Sequence, residues 1–135
     1  GDFPKQVNNS IGFPGILKGA LLVRAKKITD NMAIAAAHSL ADYAEKRGID
    51  PENIVPTMDE ADVFPIEAAD VAVQAVKDGV ARINISWQDA YNKAKEDIEY
   101  SRNMTKSLMD TGFIQTPGES MIQEALDKAI LEVRK

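Results

Sequence analysis

Phe3-Pro4-Lys5-Gln6-Val7-Asn8-Asn9-Ser10-Ile11-Gly12-Phe13-Pro14-Gly15 is the stretch of this chain that reads as a site, and its last residues decide the fold. Pro14 fixes its own φ and suits the first turn of a helix, where a missing N–H costs nothing, so a helix is expected from Pro14 to Ala25. Pro4 keeps the preceding residues extended, and Gly12, Pro14 and Gly15 turn them toward that helix. The helix's free N–H groups and positive dipole end then face back toward Asn8 and Asn9. Two adjacent carboxamides offer donors and acceptors without charge, which suits a ligand presenting a carboxylate beside a hydroxyl. The same residues are also common in solvent-facing loops, so local chemistry leaves both readings open.

Every sustained periodicity after this stretch is helical, which predicts a mainly α chain of about five helices with no sheet of three or more strands. The first helix places Ile16, Leu17, Ala20, Leu21 and Arg24 on one face. Gly19 at its centre costs up to about 1 kcal/mol against alanine, which implies a close neighbour there. A second helix is expected from Asp30, with Thr29 as the rival N-cap, to Arg47, stopped by Gly48 and presenting Ile34, Ala37, Leu40, Ala41 and Ala44. His38, the chain's single histidine, reads as a polar surface or boundary residue.

Asp59, Glu60 and Asp62 cluster in the next loop but match no oxygen-ligand calcium loop, so they read as a solvated acidic turn. Pro65 is expected to open a third helix with Ile66, Ala69, Val73 and Val76 buried, ending at Gly79. Val80 to Ile85 is an apolar link and the one place where a short strand is conceivable. Ser86 with Asp89 caps a helix of more than twenty residues that runs to Gly112. Thr116-Pro117-Gly118-Glu119 caps the last, whose apolar face is Ile122, Ala125, Leu126, Ala129, Ile130 and Val133. Joined by a short loop, these two helices are expected to form an antiparallel hairpin.

Phe-Pro-x-Gln-Val-Asn-Asn-x-x-Gly-Phe-Pro-Gly-Ile, then Lys18-Gly19-Ala20-Leu21 and Val23-Arg24-Ala25, closely resembles the C-terminal part of the bacterial and archaeal type of malic enzyme. The resemblance continues through Ile28-Thr29-Asp30-Asn31-Met32 and Ala33 to Ala37, and returns at Ile54-Val55-Pro56 and Gly79-Val80-Ala81-Arg82-Ile83. It implies that residues 1–85 are the C-terminal part of a parent α/β Rossmann-type NAD(P)-binding domain, and that residues 86–135 are a helical hairpin extension. It also implies oxidative decarboxylation of (S)-malate to pyruvate and CO2, with NAD or NADP and Mg2+ or Mn2+ in the complete enzyme. Asn8 and Asn9 are thereby assigned to malate and nicotinamide contacts. Lys5 departs from the many members that have Asn at that position.

The chemistry of that reaction needs a base, an acid, a divalent ion and a hydride acceptor. The chain has no Gly-x-Gly-x-x-Gly and no tyrosine, lysine and acidic triplet matching the family's motifs. The segment is therefore expected to be inactive alone, with no cofactor or metal of its own and the rest of a malic enzyme chain as its partner. Lacking an initiator Met and opening directly on the motif, it reads as a processed chain or a piece of a longer one.

With 135 residues and 44% hydrophobic content, the chain can bury one modest core. A net charge of −5 argues against general nucleic-acid affinity. Absence of cysteine removes disulfides and thiolate chemistry and is compatible with a reducing cytoplasm. No apolar run reaches the ~20 residues that would cross a membrane. The apolar stripes that a missing sheet would cover lead to the expectation of self-association, in its simplest form a two-fold dimer through the last two helices. A non-catalytic helical interaction module is the competing reading.

Overall fold

A computed structural model describes residues 9–115 and 117–133. These form a short 3-10 turn, Asn9–Ile11, and five α-helices: α1 Phe13–Leu22, α2 Asp30–Arg47, α3 Val63–Lys77, α4 Trp87–Asp110 and α5 Glu119–Val133. Among the described residues there is no strand, only an isolated bridge between Asp50 and Asn53. The mainly α expectation holds. The chain divides into two compact units, Gly1–Ile98 and Glu99–Lys135, with the division inside α4.

In the first unit α3 is the central helix, packed against by α1 and α2. Nine of its fifteen residues are buried, so its apolar surface is wider than the single stripe read from the sequence. Ala68, Ala69, Val71, Ala72 and Ala75 are fully buried, whereas Ile66, Val73 and Val76 of the expected stripe are half-buried. Small side chains win the deepest positions because they let neighbouring backbones approach.

The same rule decides α1. Its buried positions are Gly15 and Gly19, followed by Val23 just beyond the helix. A Cβ built on Gly19 would stand 2.6 Å from the Ala68 carbonyl oxygen and 2.7 Å from Val71 Cβ. The expected close neighbour at Gly19 is therefore the α3 backbone itself. Leu17 and Leu21, expected on the inner face, are instead 46% and 73% exposed. A helix lying on its glycines turns its larger residues to the flanks.

Arg24 also leaves the expected face, because α1 ends at Leu22 and Arg24 takes a left-handed φ of 49°. The Ala25 N–H then donates to the Ala20 carbonyl at 2.9 Å and the Arg24 N–H to Leu21, closing the helix with a Schellman-type turn. The Val80–Ile85 link is held to this turn. Lys26 N–H donates to the Val80 carbonyl, and the Arg82 and Ile83 N–H groups both donate to the Val23 carbonyl. Val23 and Val80 are buried together in the main core.

Capping follows the sequence closely. Thr29, the rival cap, is the N-cap of α2: its Oγ1 accepts from the Met32 N–H at 3.2 Å and donates to Asp78. The buried face of α2 is Met32, Ala36, Ser39 and Ala44; of the predicted Ile34, Ala37, Leu40, Ala41 and Ala44, only Ala44 is fully buried, and Ile34 is exposed. Ser86 Oγ accepts from the Asp89 N–H, capping α4 as predicted. Ala90 and Ala94 of α4 are buried, Trp87 Nε1 donates to Asp70, and Lys18 pairs with Asp97.

In the second unit Gly112, at φ 78°, ends α4 with its N–H donating to Met109. Thr116, half of the predicted cap of the last helix, lies outside the described residues. α5 begins two residues beyond Pro117, with the Ile122 N–H donating to the Gly118 carbonyl. No residue of α5 is buried.

Candidate substrate-contacting turn

Asn9 begins the 3-10 turn that leads into α1, and its side chain is exposed. Its carbonyl accepts from the Gly12 N–H at 3.1 Å, and the Gly12 carbonyl accepts from Ile16 at 3.1 Å, so turn and helix run on without a break. Gly12 is the N-cap and offers no side chain, while Pro14 occupies the first turn as predicted. The head of α1 is thus left to its own N–H groups and dipole. Asn8, the other predicted contact, lies outside the described residues.

Two anchors hold the turn. Ile11 is buried with Val63 and Phe64 at the start of α3, with Leu40, Tyr43 and Ile98 around them. Behind the turn lies Glu67, which is 0% exposed. A Cβ on Gly15 would fall 2.1 Å from Glu67 Oε2, and one on Gly12 would be 3.7 Å from Oε1. The carboxyl group therefore occupies the space that Gly15 vacates, with Gly12 at ordinary contact distance beside it.

Neither of its oxygens makes a hydrogen bond of ordinary geometry among the described residues. Burial pushes the Glu67 pKa up to about 8, opposed by the Gly15 backbone N–H. At neutral pH this is a neutral carboxylic acid inside the protein. Sequence reading passed over Glu67 because an acid in a helix is by default a surface residue. A signal was present: Glu67 falls at i, i+4, i+8 with Val63 and Val71, on the side that packs.

The other polar candidates have structural partners. Glu60 of the acidic loop accepts from Arg47 and from the Thr57 N–H. His38 is exposed at the rim of an open groove lined also by Ser39, Asp70 and Trp87. Asp70 accepts from both Ser39 Oγ and Trp87 Nε1, so the groove's polar groups tie α2, α3 and α4 together. Asp78 is held below the usual carboxylate range by Thr29, Gln74 and Asn31. Among the described residues no three His, Asp or Glu side chains are grouped to hold a metal ion.

The site is thus an exposed asparagine at the head of a glycine-packed helix. The family model for the malic enzyme NAD-binding domain matches residues 2–78, more than half of the chain. The chain belongs to the malic enzyme family.

It is similar to the bifunctional malic/malolactic enzyme of Bacillus subtilis, with 38% identity over 95 residues covering 70% of this chain and 23% of that protein. A probable NADP-dependent malic enzyme of Rickettsia prowazekii is 35% identical over 123 residues, covering 81% and 16%. Among solved structures, that of the Entamoeba histolytica malic enzyme superposes with a TM-score of 0.92 at 57% identity, covering 100% of this chain and 28% of that one. The chain thus spans less than a third of the length of these relatives.

Proposed function

We propose that this chain is the C-terminal segment of a malic enzyme that oxidatively decarboxylates (S)-malate to pyruvate and CO2, using NAD or NADP with Mg2+ or Mn2+. In this reading residues 1–85 supply part of the NAD(P)-binding domain and its substrate-contacting turn, and residues 86–135 form a helical extension. Asn8 and Asn9 lie beside malate and the nicotinamide.

The observation that carries the reading is Asn9. Its carboxamide is exposed, while its backbone is fixed by the Gly12 bond and by the burial of Ile11. An uncharged side chain on a rigid turn can give and accept hydrogen bonds at a substrate hydroxyl or carboxylate without competing for a metal's charge. When bound, NAD or NADP supplies the hydride acceptor; this segment orients the substrate against it. The described residues do not fit a metal site, so no step is routed through a metal held here. The acid, base and metal ligands belong to other segments, and the chain alone is inactive.

Two measurements test this. The pure 135-residue chain with malate, NAD or NADP and Mn2+ is expected to give no reduced nucleotide, and clear turnover would refute the segment reading. In the complete enzyme Asn9→Ala is expected to cost about 1–3 kcal/mol in malate kcat/KM, the usual loss when one partner of a buried polar contact is removed. Unchanged kinetics would take Asn9 out of the site.

The helical-module reading is favoured by one observation only. α5 leaves Ile122, Leu126 and Ile130 exposed, a surface suited to pairing. We infer that it serves a two-fold dimer of the same enzyme, working in the cytoplasm. Sedimentation equilibrium at low micromolar concentration checks this: a strictly monomeric mass would remove the dimer.

A further inference from the structure

Glu67 is the one buried ionisable side chain whose polar atoms, among the described residues, no contact explains. A buried carboxyl without a partner is costly, and an apolar residue of similar length would fill the same space at lower cost. Its place in the fold points to what it does. The carboxyl sits in the gap made by Gly15, beside Gly12 and directly behind the turn that carries Asn9. Any side chain at Gly15 would displace it, and any shortening of Glu67 would leave a void under the head of α1.

We propose that Glu67 is a positioning residue for the asparagine turn: its carboxyl, wedged between the first turn of α1 and α3, sets how far Asn9 stands from the body of the domain. The inference rests on the malic enzyme reading for its catalytic consequence, but its structural content does not. The carboxyl stands against the backbone at Gly15, whose N–H lies in the first turn of α1 and has no partner within the helix. A glutamine offers the same oxygen at the same reach; a methionine offers equal length and no acceptor.

Among the described residues no charged side chain of the packed elements acts on this carboxyl. The Asn9–Ile11 turn has none, the single charged residue of α1, Lys18, is engaged by Asp97, Asp70 of α3 accepts from Ser39 and Trp87, and Lys77 stands in the last turn of α3, away from Glu67. Ionisation must therefore be met by opening the turn to water.

Hydrogen exchange in the 135-residue chain reads the wedge directly. Glu67→Met is expected to speed exchange of the Gly15 amide by about tenfold or more, with Glu67→Gln within about twofold of the parent. Protection in Glu67→Met equal to the parent would overturn the proposal. Should Glu67→Met fail to fold, the parent and Glu67→Gln decide it: protection at Gly15, corrected for intrinsic exchange, should fall above pH 8 in the parent and persist in Glu67→Gln, and identical profiles would overturn it.

In the complete enzyme at neutral pH, Glu67→Met should raise the malate KM about tenfold with kcat within about threefold, and Glu67→Gln should restore both. An equal loss of kcat and KM effects in both variants would speak for a purely structural role and overturn the positioning one. If the complete enzyme does not turn over malate at all, the activity reading fails, while exchange at Gly15 still decides the role of Glu67.

Discussion

The contact of α1 with α3 and the helix α5 invert the common picture of a core. The first buries glycines, alanines and one glutamic acid so completely that no Cβ fits at Gly15 or Gly19. The second carries Met121, Ile122, Leu126, Ile130, Leu131 and Val133, and all of them are exposed. Residue size and burial run in opposite directions here. Dispersion between closely spaced backbones favours the small residues in the first region, while the second leaves its apolar area exposed.

Gly19→Ala attacks that contrast most strongly. Alanine should gain up to about 1 kcal/mol of helix propensity, yet its Cβ meets the Ala68 carbonyl at 2.6 Å, so a net loss of about 2–3 kcal/mol is expected from urea unfolding. A stabilised variant would mean that α1 is free to lift off α3.

The next effect is electrostatic and concerns the same contact. The folded-state pKa of Glu67, about 8, lies above its ordinary 4.5, so the folded chain holds a proton that the unfolded chain releases. Stability from this group is fully present below pH 4.5, falls as pH rises, and is gone beyond pH 8. Denaturant titrations should show stability falling across that window in the parent and a flat response in Glu67→Gln. Parallel curves would place Glu67 in water.

Smaller effects lie at the ends of helices. Thr29→Ala removes the α2 N-cap bond to Met32 and should cost about 1 kcal/mol. It also frees Asp78, whose pKa should rise toward the ordinary aspartate value, a shift visible by NMR titration. Arg24→Gly relieves a left-handed φ and should stabilise the first unit by about 0.5–1 kcal/mol. Smallest of all, Leu126→Asp with Ile130→Asp should change unfolding of the first unit by less than about 0.5 kcal/mol, since both residues are already exposed. A large loss there would make α5 part of the same cooperative unit.

The sequence by itself determined the five helices and most of their ends, although α1 stops at Leu22 rather than Ala25 and α3 opens at Val63 rather than Pro65. Pro14, Thr29, Ser86, Gly48, Gly79 and Gly112 act through local φ, ψ and capping bonds, and such signals need no tertiary partner to be legible. The Asn8–Asn9 motif likewise carried the family in its own residues, and Asn9 stands exposed at the head of α1. Which face of each helix would be buried was decided only by the tertiary structure. Periodicity weights large apolar residues, so it chose Leu17, Leu21 and Ile34; the fold chose Gly15, Gly19 and Ala36, because backbone approach between α1, α2 and α3 depends on what is absent from a side chain. Glu67 belongs to the same class. Its spacing with Val63 and Val71 puts it on the packing side, but it can be buried there only because Gly15 of α1 leaves room for its carboxyl.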